Sequence, residues 1–426
     1  MRIKVNKLPG KKSAIILNKL KKLNLAHYGA YPFIQSKNSQ GCCIKDIDNN
    51  VFLDFSSQVA STPLGYNHPM LLSKIKKYAK VHPVKLAGQD FPVKEHLLLL
   101  EELLSITPKS LDTAFLINSG AEAVENCIKV ALRHQHKAKF GISFINAFHG
   151  RTLGALSCTD SKALYKKYFF SIPIQRLPFN ESALELLDNI IKKEASPEEI
   201  GFIIVEPIQG EGGYNFAPQS LLKGLRKFTS QYNIPFIIDE VQSGMGRTGK
   251  WWAFQHYNIQ PDIFSAAKAL QVGATITSNH LRPEPGALSS TWGAGHILDM
   301  AIGLKTIQII KKQKLLSNIN QQGNYLLKQL QQLPIENPRG LGLMIAFDLE
   351  TEKQRNNMVL ECLRHGLVVL GCGESSIRLI PPYIIKKQEI NQALEILESA
   401  IRTTSKENFQ LSGLICNYMH CPSRTR

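Results

Sequence analysis

The chain has 426 residues, 43% of them hydrophobic, and its formal net charge at pH 7 is +17. This size and composition favour a globular protein of two or three lobes with a large buried core. No apolar run approaches the roughly 18 residues of a membrane-spanning helix, and the lysine-rich start lacks the apolar centre of a secretory signal. We therefore expect a cytoplasmic protein without a membrane partner.

The excess of basic residues lies mainly in dispersed lysines, as in residues 74–80 and 311–314. Such charge attracts anions and supports weak contact with nucleic acid, but no nucleic-acid motif accompanies it. We expect no specific nucleic-acid partner.

The eight cysteines are scattered, which in a long cytosolic chain favours buried thiols over disulfides. Cys416, His420 and Cys421 lie close together, but no second pair of metal ligands accompanies them. We expect no metal site.

The first 75 residues contain short segments that are typical of paired strands. Residues 43–46 and 51–55 flank Asp48, Asn49 and Asn50, which favour a turn. We assign residues 1–75 to a smaller lobe.

Residues 76–304 alternate apolar, β-branched runs with amphipathic helical stretches. This pattern predicts an α/β domain whose mostly parallel central sheet is flanked by helices on both faces. Active sites of open α/β sheets lie beyond the carboxyl ends of the strands, so the polar residues after these runs should meet in one crevice. The predicted strands are residues 113–117, 141–145, 201–205, 235–238 and 262–266.

The C-terminal part returns to the smaller lobe. Residues 305–407 are expected to join residues 1–75 in an α+β lobe built from both chain ends. The basic tail from 408 to 426 has no clear period and is predicted to be disordered. The segments that support the lobe are the helical residues 307–330 and 388–401 and the strand-like residues 342–349 and 367–370.

Residues 118–122 (Asn-Ser-Gly-Ala-Glu) lie between a predicted strand and a predicted helix. Ser119 supplies a hydroxyl, Gly120 permits close backbone approach, and the free amides of a helix start favour an anion such as phosphate. Many strand-to-helix turns contain Ser-Gly for shape alone, so the motif by itself leaves both interpretations open.

Asp239 follows the apolar residues 236–238 and precedes Glu240, so two carboxylates lie at the end of a buried strand. A buried carboxylate requires a partner. That partner is either a turn amide or an arginine, or it is the protonated ring nitrogen of a cofactor that acts as an electron sink. The motif alone does not decide between them.

Lys268 follows the apolar residues 262–267 and is flanked by alanines. Desolvation favours the neutral form of a lysine, and a neutral amine can form an imine with an aldehyde. The alternative is a lysine at a strand end whose charged head reaches solvent.

Together these features resemble one family, the class III pyridoxal-phosphate (PLP) aminotransferases of fold type I. The resemblance extends from residues 65–69 (Gly-Tyr-Asn-His-Pro) to 378–382 (Arg-Leu-Ile-Pro-Pro). It implies the fold-type-I α/β architecture, PLP as cofactor, and a homodimer with active sites at the subunit interface. The densest matches are residues 118–125, 148–152, 206–213 and 239–244.

The resemblance also implies roles in binding the cofactor. Lys268 would bind it as an imine and later move a proton, while Asp239 would keep its pyridine nitrogen protonated. The remaining contacts would come from Phe148 and Val241 on the two ring faces, Gln242 at the ring oxygen, and Ser119, Gly120 and Ala121 at the phosphate, with Thr291 of the partner subunit.

Four residues bear on the substrate. By the same resemblance, Arg151 would bind the distant carboxylate of an ω-amino acid with help from Tyr28. Arg378 would bind the α-carboxylate of glutamate or 2-oxoglutarate, and Glu211 would cover that charge while the amino donor is bound. A structural salt bridge is the alternative for each arginine.

Two segments depart from the commonest family pattern and resemble the L-lysine 6-aminotransferase branch. Residues 269–273 (Ala-Leu-Gln-Val-Gly) replace a glycine run, and residues 290–295 (Ser-Thr-Trp-Gly-Ala-Gly) replace Thr-Phe-Gly-Gly-Asn-Pro. Residues 371–374 fit that branch too, whereas Ser289 and Ala294 differ from it.

The sequence therefore predicts a homodimeric aminotransferase that takes the terminal amine of an ω-amino acid, with L-lysine favoured. The acceptor would be 2-oxoglutarate, and the products a semialdehyde and glutamate. Alternative donors are 4-aminobutyrate, ornithine and N-acetylornithine. An amino-acid racemase on the same fold and a non-enzymatic basic binding protein are the other function classes.

Overall fold

The computed structural model describes residues 1–25, 31–81, 90–288 and 296–405. The described helices are α1 Lys11–Leu23, α2 Ser57–Ala60, α3 Pro69–Val81, α4 Lys94–Leu104, α5 Gly120–His134, α6 Leu153–Cys158, α7 Ser182–Lys193, α8 Gln219–Tyr232, α9 Ile297–Lys312, α10 Leu315–Leu330, α11 Glu352–Arg364 and α12 Lys387–Thr404. The strands are β1 Cys43–Lys45, β2 Val51–Asp54, β3 Thr113–Ile117, β4 Phe140–Phe144, β5 Ile174–Leu177, β6 Ile200–Val205, β7 Ile208–Gln209, β8 Asn215–Phe216, β9 Phe236–Asp239, β10 Ile263–Ala266, β11 Gly273–Thr277, β12 Glu336–Leu341, β13 Met344–Asp348, β14 Leu367–Val368, β15 Leu370–Cys372 and β16 Ser376–Leu379.

The chain forms two compact units, one of Met1–Pro69 with Asn318–Arg426 and one of Met70–Ser317. The predicted breaks after residues 75 and 304 fall inside α3 and α9. The structure keeps α9 in the second unit because its apolar side chains belong to the core that also contains α4. The predicted tail from 408 to 426 lies outside the described residues.

A seven-stranded sheet with the order β3-β11-β10-β9-β6-β4-β5 forms the centre of the second unit. β11 runs antiparallel to both of its neighbours, and the other strands are parallel to one another. The predicted mostly parallel sheet is confirmed. β5 and β11 are additions to the predicted set, since Ile174–Leu177 carries two polar side chains and Gly273–Thr277 is short and rich in small residues.

Side chains of the central strands alternate between two layers, because successive residues of a strand point to opposite faces. Phe236 and Ile238 join the larger core cluster, whereas Ile237 between them packs with α5 residues such as Ile128. All three strand side chains are fully buried, and burial of one such side chain contributes about 1.5–3 kcal/mol. The apolar run therefore encodes a strand that is covered on both faces.

The first unit contains two further sheets, with the orders β1-β2-β14 and β12-β13-β16-β15. β1 and β2 are antiparallel and pair Lys45 with Val51, so the predicted turn between paired strands is confirmed. The predicted helical stretch 307–330 is instead two helices, α9 and α10. Lys314 between them has a φ of +50°, which interrupts the helical backbone.

No helix in the described part of the chain is both long and apolar enough to cross a membrane.

Candidate active site

The carboxyl edge of the seven-stranded sheet brings together polar residues that are distant in sequence. Asp239 is the last residue of β9, and its neighbour in the parallel strand β10 is Ser265. Lys268 lies just beyond β10, and Ser119 lies just beyond β3. Glu206 directly follows β6. The strand ends of an open α/β sheet thus meet where such folds bind ligands.

Asp239 makes three close polar contacts through its carboxylate. Its side chain is buried, and Oδ1 accepts hydrogen bonds from the Val241 amide and the Ser265 hydroxyl, both at 2.9 Å. Oδ2 lies 2.8 Å from His149 Nδ1. These three contacts fix the carboxylate plane in a site that is almost closed to water.

His149 was not among the predicted site residues, although it belongs to the motif of residues 148–152. Its imidazole is buried, and its backbone amide donates to Thr159 Oγ1 at 2.9 Å. An ionised Asp239 only accepts hydrogen bonds, so the contact requires a proton on His149 Nδ1. Within the described residues, His149 Nε2 has no hydrogen-bond partner. His149 therefore holds one carboxylate oxygen of Asp239, and Ser265 holds the other.

Glu206 is a second buried carboxylate that the prediction did not include. Oε2 accepts from the Phe148 amide and Oε1 from the Gly210 amide, each at 2.9 Å. Burial raises the pKa of Glu206 to about 7, the negative charge of Asp239 also raises it, and His149 and the two amides lower it. The carboxyl group thereby joins the end of β6 to the backbone of Phe148 and to the turn that precedes Glu211.

The start of α5 offers a binding place for an anion. Ser119 is the N-cap, and its hydroxyl accepts from the Glu122 amide at 3.2 Å. A Cβ added at Gly120 would lie 2.8 Å from Val241 Cγ1 and 3.3 Å from the Ala267 side chain. Only glycine fits this approach. The backbone amides of Gly120 and Ala121 lie at a helix N-terminus, which favours a phosphate.

Lys268 begins a short 3₁₀ helix, Lys268–Leu270, and has a φ of +47°. The side chain and backbone amide of Gln271 both donate to the Lys268 carbonyl oxygen, at 3.0 and 2.9 Å. Ala267 and Ala269 on either side are buried. The backbone of the lysine is therefore held in a left-handed conformation by a residue three positions further on.

Val241 and Gln242 occupy the turn after Asp239 and are both half-buried. Gln242 Oε1 accepts a hydrogen bond from the Tyr214 hydroxyl at 2.7 Å, which leaves its amide group as a donor. Phe148 contacts the Tyr165 ring edge to face, with centroids 6.2 Å apart. The Phe148 amide is bound by Glu206, and the Val241 side chain lies against Gly120.

The predicted substrate residues are distributed over the chain. Arg151 is exposed, and its Cζ lies 5.7 Å from the centroid of the Tyr165 ring. Glu211 is half-buried in the second unit, whereas Arg378 is buried in β16 of the first unit. Tyr28 and Thr291 lie outside the described residues.

In residues 1–25, 31–81, 90–288 and 296–405, no group of three or more His, Cys, Asp and Glu side chains could hold a metal ion. Cys416, His420 and Cys421 lie outside these ranges.

The arrangement combines a buried carboxylate, a lysine at a neighbouring strand end and a helix N-terminus. A carboxylate in this position can keep a ring nitrogen protonated, a lysine can bind an aldehyde, and a helix start can bind a phosphate. The site thus has the donor set for a phosphorylated aromatic aldehyde.

Comparison with known proteins agrees with this chemistry. The model of the family Aminotransferase class-III matches residues 26–401. An acetylornithine aminotransferase from Archaeoglobus fulgidus is 34% identical over 371 residues, which cover 85% of this chain and 94% of that protein. A 4-aminobutyrate aminotransferase from Dictyostelium discoideum is 31% identical, with 94% of this chain and 91% of that protein covered.

Among solved structures, the lysine aminotransferase from M. tuberculosis is similar with a TM-score of 0.86 and 25% sequence identity. The similarity covers 92% of this chain and 100% of that chain.

Proposed function

Because the chain belongs to the class III aminotransferases, we propose that it transfers the terminal amino group of an ω-amino acid, preferentially L-lysine, to 2-oxoglutarate. The products are a semialdehyde and glutamate. Enzymes of this class are transaminases that depend on PLP. Acetylornithine, 4-aminobutyrate and lysine, the compounds named for the similar proteins, all carry a carboxylate far from the reacting nitrogen.

The residues at the sheet edge fit PLP on three counts. The α5 start, with the close approach at Gly120 that a Cβ would block, suits the phosphate. The buried Asp239 suits a protonated pyridine nitrogen, and Lys268 Nζ suits the aldehyde carbon. We therefore assign these residues to the cofactor, with Phe148 and Val241 at the ring faces.

When bound, PLP supplies an electron sink for the negative charge that develops at the substrate carbon. Asp239 would keep the ring nitrogen protonated through its carboxylate. His149 and Ser265 hold that carboxylate in one orientation by hydrogen bonds of 2.8 and 2.9 Å. Lys268 Nζ would move a proton at the reacting carbon, and Gln242 would donate to the ring oxygen.

Arg151 is proposed to bind the distant carboxylate of the amino donor. Its guanidinium is exposed, so it can form two parallel hydrogen bonds with a carboxylate. The α-carboxylate of 2-oxoglutarate is assigned to Arg378, with Glu211 as the group that covers this charge and Tyr28 as an aid to Arg151. These assignments follow from the family resemblance.

The segment after Lys268 carries the preference for lysine as donor. Residues 269–273 resemble the lysine branch, and Gln271 uses both its side chain and its amide to bind the Lys268 carbonyl. The glycine run that most family members have at this place offers no such side chain. The amino-acid sequence of residues 290–295, Ser-Thr-Trp-Gly-Ala-Gly, resembles the same branch.

We further propose a homodimer in which Thr291 of the partner subunit completes the phosphate site. A cytoplasmic location, and the absence of a nucleic-acid or membrane partner, stay predictions from sequence.

A panel of amino donors with 2-oxoglutarate tests the proposal, with glutamate formation as the readout. We expect the highest kcat/KM with L-lysine, and lower values with ornithine, N-acetylornithine and 4-aminobutyrate. A clear maximum with N-acetylornithine would overturn the donor assignment in favour of the activity named for the Archaeoglobus fulgidus relative. Loss of optical rotation of an amino acid without 2-oxoglutarate would instead indicate a racemase.

A further inference from the structure

Tyr165 contacts two residues to which the proposed function gives different tasks. Its ring lies 6.2 Å from the ring of Phe148 at an interplanar angle of 71°. The Cζ atom of Arg151 lies 5.7 Å from the Tyr165 ring centroid, within cation–π range. Tyr165 thus connects the proposed cofactor-stacking residue with the proposed carboxylate-binding residue.

The contact with Arg151 positions a charge without neutralising it. Among the described residues, the Arg151 guanidinium has no hydrogen bond or ion pair, and the Tyr165 ring is its partner. A carboxylate partner would compete with the substrate for the guanidinium, whereas an aromatic face leaves the five N–H donors available. The geometry therefore orients Arg151 and keeps its donors free for a ligand.

Tyr165 lies on a short segment that is itself anchored. It belongs to the 3₁₀ helix Ala163–Lys166, and the segment begins where the amides of Asp160 and Ser161 both donate to the Ala147 carbonyl, at 2.7 and 3.0 Å. Lys166 Nζ forms an ion pair of 3.0 Å with Asp160. The ring is consequently tied to the backbone that precedes Phe148, rather than placed on an unattached loop.

We propose that Tyr165 is a positioning residue that selects donors with a distant carboxylate by holding the Arg151 guanidinium against its ring. The inference rests on the proposed role of Arg151 and adds a specificity residue that acts through it. Because a cation–π contact at an exposed site contributes about 0.5–1 kcal/mol, its loss should weaken carboxylate recognition by roughly two- to fivefold.

Two substitutions separate the ring from the hydroxyl. Tyr165→Phe keeps the aromatic face and should behave like the unchanged protein. Tyr165→Leu removes the face but keeps an apolar side chain. Tyr168→Leu is the matched control, because Tyr168 is an exposed tyrosine with its own lysine neighbour, Lys167, at 5.1 Å. It should leave donor selection unchanged.

The kinetic test compares two donors that differ only in the carboxylate, L-lysine and cadaverine, in the PLP-loaded enzyme. Tyr165→Leu should raise the KM for lysine about two- to fivefold with little change in kcat, and should leave both constants for cadaverine unchanged. A second readout is the Kd of hexanoate, an unreactive carboxylate, measured by calorimetry. The Kd of hexanoate should rise by a similar factor in Tyr165→Leu.

A double-mutant cycle with Arg151→Met distinguishes failure of this inference from failure of the proposed function. If Arg151→Met itself leaves the ratio of kcat/KM for lysine to kcat/KM for cadaverine unchanged, the assigned role of Arg151 is wrong. If it lowers that ratio, Tyr165→Leu should add nothing in this background, since the ring then has no guanidinium to hold. Full additivity, or an equal loss for both donors, would overturn the role of Tyr165.

Discussion

Replacement of Glu206 with glutamine should flatten the pH dependence of the stability of this protein. Glu206 is buried, and its two oxygens accept hydrogen bonds from the Phe148 and Gly210 amides. Burial raises the pKa of its carboxyl group from 4.5 to about 7. The group therefore titrates in the physiological range only while the chain is folded.

The sign of the effect follows from the direction of this pKa change. Between about pH 4.5 and 7 the folded protein binds the Glu206 proton more tightly than the unfolded chain does. The stability that the group contributes is complete below its unfolded-state pKa and is lost as the pH rises through its folded-state pKa. A tenfold change in proton affinity corresponds to about 1.4 kcal/mol, so the loss is about 3 kcal/mol.

Thermal unfolding of the apoprotein measures this loss. Glu206 lies in the unit Met70–Ser317. For a unit of this size, a loss of about 3 kcal/mol corresponds to a fall in Tm of roughly 5–10 °C between about pH 5 and about pH 8. Glu206→Gln should be less stable at low pH, because an amide group must face one of the two backbone donors. Its Tm should then change less with pH, since glutamine does not titrate.

Glu240→Gln provides the matched comparison, because burial raises the pKa of Glu240 to about 7 as well. Its oxygens accept from the Ser243 hydroxyl and the Phe254 amide. Each single variant should remove part of the pH dependence, and the double variant should remove more than either. Parallel Tm curves for wild type and Glu206→Gln across this pH range would refute the reasoning.

Three further outcomes are expected. Lys268→Ala should abolish glutamate formation with every donor, and activity of this variant would contradict the mechanism. The control Lys250→Ala removes a lysine that donates to the Gln255 carbonyl oxygen, and it should keep the activity. Ser265→Ala removes the hydrogen bond to Asp239 and should lower kcat roughly 10- to 100-fold with little effect on KM, because a hydrogen bond to a charged group contributes about 1.5–3 kcal/mol. A change confined to KM would contradict this expectation. Gly120→Ala should weaken PLP binding about tenfold or more, because the added Cβ meets Val241 and overpacking costs about 1–3 kcal/mol. Fluorescence titration measures this affinity, and an unchanged value would exclude the assigned phosphate site.

The sequence was most informative where local pattern determines local structure. The apolar run before Asp239 predicts a buried strand, and the polar residue at its end therefore lies at the sheet edge. The same logic places Lys268 after β10 and Ser119 after β3. β11 was missed because a short strand of glycine, alanine and threonine has no continuous apolar run, and its pairing with β3 joins residues that are far apart in sequence.

The partners of the site residues could not be deduced in this way. His149 reaches Asp239 across 90 residues, and Glu206 reaches the Phe148 amide across 58. Such contacts depend on which strands are neighbours, and the order of strands is a property of the whole sheet rather than of any one segment. Both residues belong to motifs that the family resemblance identified. Their place in these motifs was the only indication in the sequence that they belong to the site, because the residue types themselves do not indicate their partners.

The site buries acidic side chains in a chain whose net charge is positive. The protein carries +17 overall, yet the sheet edge buries the carboxyl groups of Asp239, Glu206 and Glu240. Burial raises the pKa of both glutamates, and repulsion by the negative charge of Asp239 raises it further. A positive charge beside Asp239 would relieve this repulsion, and an anionic phosphate would be bound separately by the α5 start. The site therefore pairs buried carboxyl groups with an anion-binding rim, which suits a ligand that is positive at one end and negative at the other.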